Sequence, residues 1–304
     1  MKKSLFVVLI FILSAVANAQ NSTLQTANDY IFSPGNEVTL PPGGTTTLGI
    51  KQITKDNYPA DAVIESEQWT IDGKSISNQN HEEGDFKLGT LQPDKGNYTA
   101  PSKVPPHNPV VITLSFQPQG EKIKIILYCR IHVIDKENYF YLSSSRSHEG
   151  SLYELKEPAL VSSRNLQETA TYMNDQWNIG ANGFRKMDDN TSMQFMGIGI
   201  SINGNATGNY QWSVRWNDKQ GVIPPDNSVT ITGTGNDETP SQYSSIDCRP
   251  HGSNDCKPVA LEGSTTINVF DKKNKTIKGY FSGILMSPKY EYTSVSGVFS
   301  VHIN

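Results

Sequence analysis

The residue types that hold metals or move protons are scattered through this sequence rather than gathered. Six histidines, His81, His107, His132, His148, His251 and His302, include no pair at metal-ligand spacing and no His-Glu-x-x-His. His81-Glu82-Glu83-Gly84-Asp85 is the densest set of possible cation ligands, and it reads as a solvated loop. Asp188-Asp189-Asn190 lacks the spaced oxygens and the glycine of a calcium loop and reads as a turn. Ser294-Val295-Ser296-Gly297 brings hydroxyls with no base nearby in sequence. There is no Gly-x-Ser-x-Gly elbow, phosphate loop or Gly-x-Gly-x-x-Gly. Glycoside hydrolysis needs two facing carboxylates, and Glu65, Glu67, Glu82, Glu83, Glu262 and Glu291 show no privileged pairing. The expectation is a protein that is not an enzyme, with no catalytic residues, no metal and no cofactor.

One pattern suggests binding. Tyr210, Trp212, Val214 and Trp216 recur at period two, opposite Gln211, Ser213 and Arg215. On one strand face Tyr210, Trp212 and Trp216 could form a flat platform for sugar rings, with Tyr290 and Tyr292 as further candidates. The same spacing is what a buried strand face looks like, and Val214 favours the core. Among the three cysteines, Cys248 and Cys256 flank the turn-forming segment Arg249-Pro250-His251-Gly252-Ser253-Asn254-Asp255. They are expected to close a disulfide in an oxidising compartment. Cys129 lies in a strand pattern and is expected to be a small buried residue.

Strands must position these groups. Only 18% of the residues are charged, 24 are glycine and 17 proline, a balance that suits a turn-rich β protein. Glu37-Val38-Thr39-Leu40 precedes the turn Pro41-Pro42-Gly43-Gly44, and Thr45 to Ile50 reads as the next strand. Gln68-Trp69-Thr70-Ile71 leads into Asp72-Gly73, a hairpin dipeptide. Residues 110–116 and 122–133 complete a first unit at 28–135, with a linker at Asp135-Lys136-Glu137-Asn138. In the second unit, 139–304, strands are expected at 169–173, from Trp177, over 193–202, through 210–216 and over 265–270. Gly279-Tyr280-Phe281-Ser282-Gly283 is echoed by Gly297-Val298-Phe299-Ser300-Val301, which reads as two antiparallel strands of one sheet. A short helix near Leu166 to Ala170 is the one helical candidate.

The first residues address the chain. Lys2 and Lys3 precede the apolar run Leu5 to Leu13, and Ala17-Asn18-Ala19 supplies small residues for cleavage before Gln20. The run falls short of the roughly 20 apolar residues that span a bilayer. Residues 1–19 therefore read as a signal peptide, leaving no transmembrane segment in the mature chain. The formal net charge of −4 becomes more negative once Lys2 and Lys3 leave with the leader. That argues against nucleic acid and against anionic lipid as partners.

Trp69-Thr70-Ile71-Asp72-Gly73, Gly89-Thr90-Leu91, Gly96-Asn97-Tyr98-Thr99-Ala100-Pro101 and Val104-Pro105 together resemble a bacterial immunoglobulin-like domain. The resemblance implies a sandwich with Trp69 in its core and an extracytoplasmic setting, and it implies no reaction. The second unit is similar, more loosely, to uncharacterised envelope proteins of the Bacteroidota. The shared features are Asn174 and Trp177, Gly208-Asn209-Tyr210, Gly263 to Ile267, Asp271, Gly279-Tyr280-Phe281 and Gly297-Val298-Phe299-Ser300-Val301. Thr171, Ser264 and the cysteine-bearing insertion at 248–256 depart from that pattern.

The reading is an all-β protein, an N-terminal immunoglobulin-like sandwich followed by a second antiparallel β-sandwich or barrel-like domain. It is exported, to the periplasm, the outer surface or the medium. It serves as a non-catalytic binding or interaction module for a protein or glycan partner. The alternative is a glycan-active enzyme or carbohydrate-binding protein that uses the C-terminal domain.

Overall fold

The computed structural model describes residues 29–55, 59–72, 74–75, 88–144, 150–161, 176–186, 193–204, 206–214, 216–217, 221–222, 227–233, 242–247, 259–271, 273–274, 276–287 and 292–302. Among them the regular structure is strand throughout, with no helix, so the fold class is all-β. The segments 162–175 and 248–258 lie outside the described residues. The expected strand at 169–173, the helix near Leu166 to Ala170 and the Cys248–Cys256 disulfide all fall there.

The first eleven strands are β1 (Tyr30–Ser33), β2 (Glu37–Leu40), β3 (Thr45–Thr47), β4 (Gly49–Ile53), β5 (Pro59–Asp61) and β6 (Ile64–Ile71). They continue with β7 (Lys74–Ser75), β8 (Thr90–Gln92), β9 (Asn97–Thr99), β10 (Val110–Pro118) and β11 (Ile125–Val133). A five-stranded sheet β2-β11-β10-β6-β7 faces two three-stranded sheets, β1-β4-β5 and β3-β9-β8. Strands β10 and β11 alternate buried and open positions along their length, the period-two signature of a sheet with one wet face. Phe32, Leu40, Trp69, Tyr98, Ile112, Leu114 and Phe116 fill the space between the sheets. Asp72 takes a positive φ of 44° where β6 turns into β7. Gly96 holds φ 63° in the turn before β9, where a Cβ would stand 1.9 Å from the Leu48 carbonyl oxygen, so only glycine fits. That turn delivers Tyr98 to the core, and its hydroxyl donates to the Leu88 carbonyl at 2.7 Å.

The remaining strands are β12 (Tyr139–Ser144), β13 (Gly150–Val161), β14 (Gln176–Lys186), β15 (Met193–Asn203), β16 (Gly208–Gln211), β17 (Trp216–Asn217) and β18 (Gly221–Val222). Then follow β19 (Ser228–Gly233), β20 (Gln242–Ser244), β21 (Ile246–Asp247), β22 (Val259–Ala260), β23 (Gly263–Asp271), β24 (Thr276–Met286) and β25 (Tyr292–His302). A ten-stranded sheet dominates. Its pairings run β12-β13-β14-β15-β19-β20-β24-β25 and return to β12, a nearly closed barrel. The seam from β20 to β24 is the pair Ser244↔Met286, and β23 and β16 extend from the rest of that edge of β24. Phe140, Ile198, Ile231, Phe281, Leu285 and Phe299 fill the barrel.

The glycine and phenylalanine echo has a packing cause. Strands β24 and β25 are antiparallel, with Gly279 opposite Phe299 and Phe281 opposite Gly297. A Cβ on Gly279 would lie 2.7 Å from the Phe299 ring, and one on Gly297 would lie 2.7 Å from the Phe281 ring. Each ring thus occupies the space its partner glycine leaves empty.

One expectation needs correction. The strand read through Tyr210 to Trp216 stops at Gln211. The Asn227 amide donates to the Gln211 carbonyl at 3.0 Å, and Ser213 N–H donates to the Asn227 carbonyl at 3.0 Å. These bonds draw the chain off β23 before a longer strand can form.

Among the described residues no strand pairing links 30–133 with 139–302, yet the two units pack closely. The outward faces of β24 and β25 meet the first unit. Tyr280 is buried in the first unit's core cluster although it belongs to β24. Ile31 joins Leu261, Ile284, Met286 and Tyr292 in a second apolar contact. Thr39 N–H donates to Ser296 Oγ at 2.7 Å, and Lys278 pairs with Glu137 at 2.5 Å.

Candidate functional site

Where the small sheet β3-β9-β8 faces β16 and β23, the two units leave a cleft of about 360 Å³. Its first wall follows from strand register. Thr45 pairs with Thr99 and Thr99 with Thr90, while Thr47 pairs with Asn97 and Asn97 with Gln92. Side chains alternate across a strand, so these form two parallel rows on one face. Thr46, on the other face, is buried. Thr47 Oγ1 donates to Asn97 Oδ1 at 2.8 Å, which fixes the carboxamide's orientation.

The second wall comes from the C-terminal unit. Asn209 Nδ2 donates to Ser264 Oγ at 3.3 Å and to Thr266 Oγ1 at 3.0 Å. Gln211 Nε2 donates to Asn209 Oδ1 at 3.0 Å. At the floor Thr46 Oγ1 and Ser282 Oγ are 3.5 Å apart, and the Tyr280 hydroxyl lies 3.0 Å from both the backbone N and Oγ1 of Thr45. Ser33 also lines the cleft; it is 1% exposed, and its hydroxyl has no hydrogen-bond partner among the described residues.

Among the described residues Glu262 is the one titratable side chain of the lining. Lys51 bridges it to Asp61, with the Asp61 contact at 2.7 Å. Burial works against the Lys51 ammonium, but its hydrogen bonds to Asp61 and Glu262 and their charges outweigh that and raise its pKa. Lys51 therefore stays charged and offsets part of the negative charge of the two carboxylates it bridges. The walls can offer donors and acceptors together, since hydroxyls and carboxamides supply both.

Of the aromatic pattern, Tyr210 lies on β16 and Trp212 just past its end. Trp212 is 5% exposed, and Cβ atoms on Gly263 and Gly283 would stand 2.3 and 2.2 Å from its ring. Its Nε1 donates to Thr265 Oγ1 at 3.1 Å. Trp212 is thus a core residue and cannot stack on a ligand. The Tyr210 hydroxyl donates to the Ala206 carbonyl at 2.7 Å. The Trp216 side chain, and Tyr290, lie outside the described residues, and Tyr292 is buried against Ile284. Asn209 and Gln211, the polar residues interleaved with those aromatics, are the ones that reach the cleft.

The other expected groups disperse. Ser294 and Ser296 are buried at the seam between units; Ser294 Oγ donates to the Ser143 carbonyl at 3.3 Å. Glu65 accepts from Gln117 and the Gly120 backbone, and His107 is exposed. His81 to Asp85, Asp188 to Asn190, His148, His251 and Glu291 lie outside the described residues. Cys129 is fully buried and free, and burial, then the charge of Glu37, pushes its thiol pKa far up, so it is inert.

His132 does acquire partners, which the sequence did not suggest. Its Nε2 lies 2.6 Å from Glu37 Oε2, and Arg130 donates to Glu37 Oε1 at 2.7 Å. The parallel pairing of β2 with β11 sets Glu37 opposite Arg130 and Thr39 opposite His132. The His132 ring stacks on Tyr141 of the second unit at 5.2 Å. Glu37 is 3% exposed, and this cluster ties β2 to β11 within the first unit and meets the second unit through the His132 ring.

Compared with protein-family models and with curated proteins, the chain matches none.

Proposed function

We propose that this chain is an exported, non-catalytic binding protein of the cell envelope or the medium, and that its ligand seats in the cleft between the two units. The observation that carries the reading is the cleft lining. Hydroxyls and carboxamides from both units converge there, and the one carboxylate among the described lining residues is held by Lys51. Such groups bind by hydrogen bonding and are poor at moving protons at neutral pH. Its volume falls within the roughly 300–1,000 Å³ of small-molecule sites, which favour domain interfaces. The leader at 1–19 and the first unit's resemblance to bacterial immunoglobulin-like domains support an extracytoplasmic setting, with that unit serving as spacer and as one wall of the site.

The test uses mature protein, residues 20–304, immobilised and challenged with pooled oligosaccharides and pooled peptides. Gln92 and Gln211 are exposed on opposite walls, so tryptophan at either fills the cleft without entering a core. Retention on wild type should fall at least tenfold in Gln92→Trp and Gln211→Trp, with unchanged melting temperature and no new products. Turnover of a pool member, or retention indifferent to both substitutions, would contradict the proposal.

A further inference from the structure

We infer that the ligand of this cleft is an uncharged saccharide; the inference rests on the binding reading above and narrows it to one chemical class. Among the described residues the lining's one carboxylate, Glu262, shares the cation Lys51 with Asp61. That trio carries one net negative charge at neutral pH. It repels carboxylated, sulfated or phosphorylated ligands, which sites normally hold with arginine, lysine or a helix N-terminus. Among the described residues no lysine or arginine lines the cleft.

Peptides fit less well than sugars. An extended peptide is usually captured by backbone pairing along a free strand edge, with alternate side chains entering pockets. Here the first wall is the face of β3-β9-β8, and its rows of threonine, asparagine and glutamine present side chains rather than open backbone. A sugar hydroxyl is both donor and acceptor, as is each of these side chains, so the match is group to group. The Thr45-Thr99-Thr90 row repeats at the strand spacing of roughly 4.8 Å, about the width of one sugar ring.

The experiment titrates the mature chain with neutral polysaccharides (glucan, mannan, xylan, galactan), with anionic ones (alginate, polygalacturonate) and with an unstructured peptide library. At least one neutral glycan should bind. Its affinity should fall about tenfold or more in Asn209→Ala and in Thr99→Ala, and change little between low and high salt, because no ion pair is made. If only an anionic glycan or a peptide binds, and Gln92→Trp abolishes that binding, the saccharide inference falls and the cleft reading stands. Failure of every neutral glycan likewise overturns the inference. Binding of any probe unmoved by Gln92→Trp overturns the cleft reading itself.

Discussion

Trp69→Ala is expected to destabilise the protein by about 3–5 kcal/mol, the range for truncating a buried large aromatic. Trp69 is 4% exposed, lies 6.1 Å from Phe32 by ring centroids, and sits on β6 opposite Leu114. Its indole nitrogen has no hydrogen-bond partner among the described residues, so the cost is one of packing and transfer rather than of a lost bond. Trp69→Phe, which keeps much of the volume and removes that N–H, should cost less than about half as much. Denaturant titration checks both: the midpoint should fall while the slope stays constant. A near-neutral Trp69→Ala would mean the first unit has no core at this tryptophan.

The second large effect concerns the seam. Burial acts to raise the Glu37 pKa, but the hydrogen bonds from His132 and Arg130, and their charges, outweigh it and leave it lowered. A carboxyl whose folded pKa lies below its unfolded value stabilises the fold above the unfolded value, near 4.3, and that share is lost as pH falls through the folded pKa. Arg130→Met with His132→Leu strands this carboxylate. The variant should lose stability near the lower end of about 3–5 kcal/mol at neutral pH, because Arg130 is 49% exposed and water can reach the site once it is gone. Burial then acts unopposed, so the Glu37 pKa rises and the sign reverses. Acidification relieves the double variant where it weakens wild type. Glu37→Gln in the variant background should recover part of the loss at neutral pH and abolish that reversal. Equal pH profiles for wild type and double variant would show that Glu37 is not held by this pair.

The strands were legible where a local pattern decides them. Alternation over 110–116 matches β10, the run 193–202 matches β15, and the paired Gly-x-Phe segments are neighbouring strands because each ring needs the opposite glycine's space. The cleft was not legible, because it exists only where wall strands over a hundred residues apart in the chain come together. Nothing in Thr45-Thr46-Thr47 or Gly96-Asn97-Tyr98-Thr99 distinguishes wet turn-rich strands from a binding wall until register stacks them. Attention to Tyr210 and Trp212 found the right segment and the wrong side chains. Large aromatics at period two are favoured in cores, and their polar neighbours Asn209 and Gln211 look like ordinary solvent-facing residues. The clamp of Glu37 by Arg130 and His132 was hidden for a related reason, since parallel pairing of β2 with β11 joins residues far apart in the chain.

The most direct measurement is amide hydrogen exchange of the mature protein with and without the ligand it retains. If the ligand lies between the units, protection should rise together in 97–99 of the first wall and 264–266 of the second. The outer face of β11, where Ile126 is 51% and Tyr128 55% exposed, should be unchanged. Protection confined to one unit, or centred on that outer face, would contradict the account.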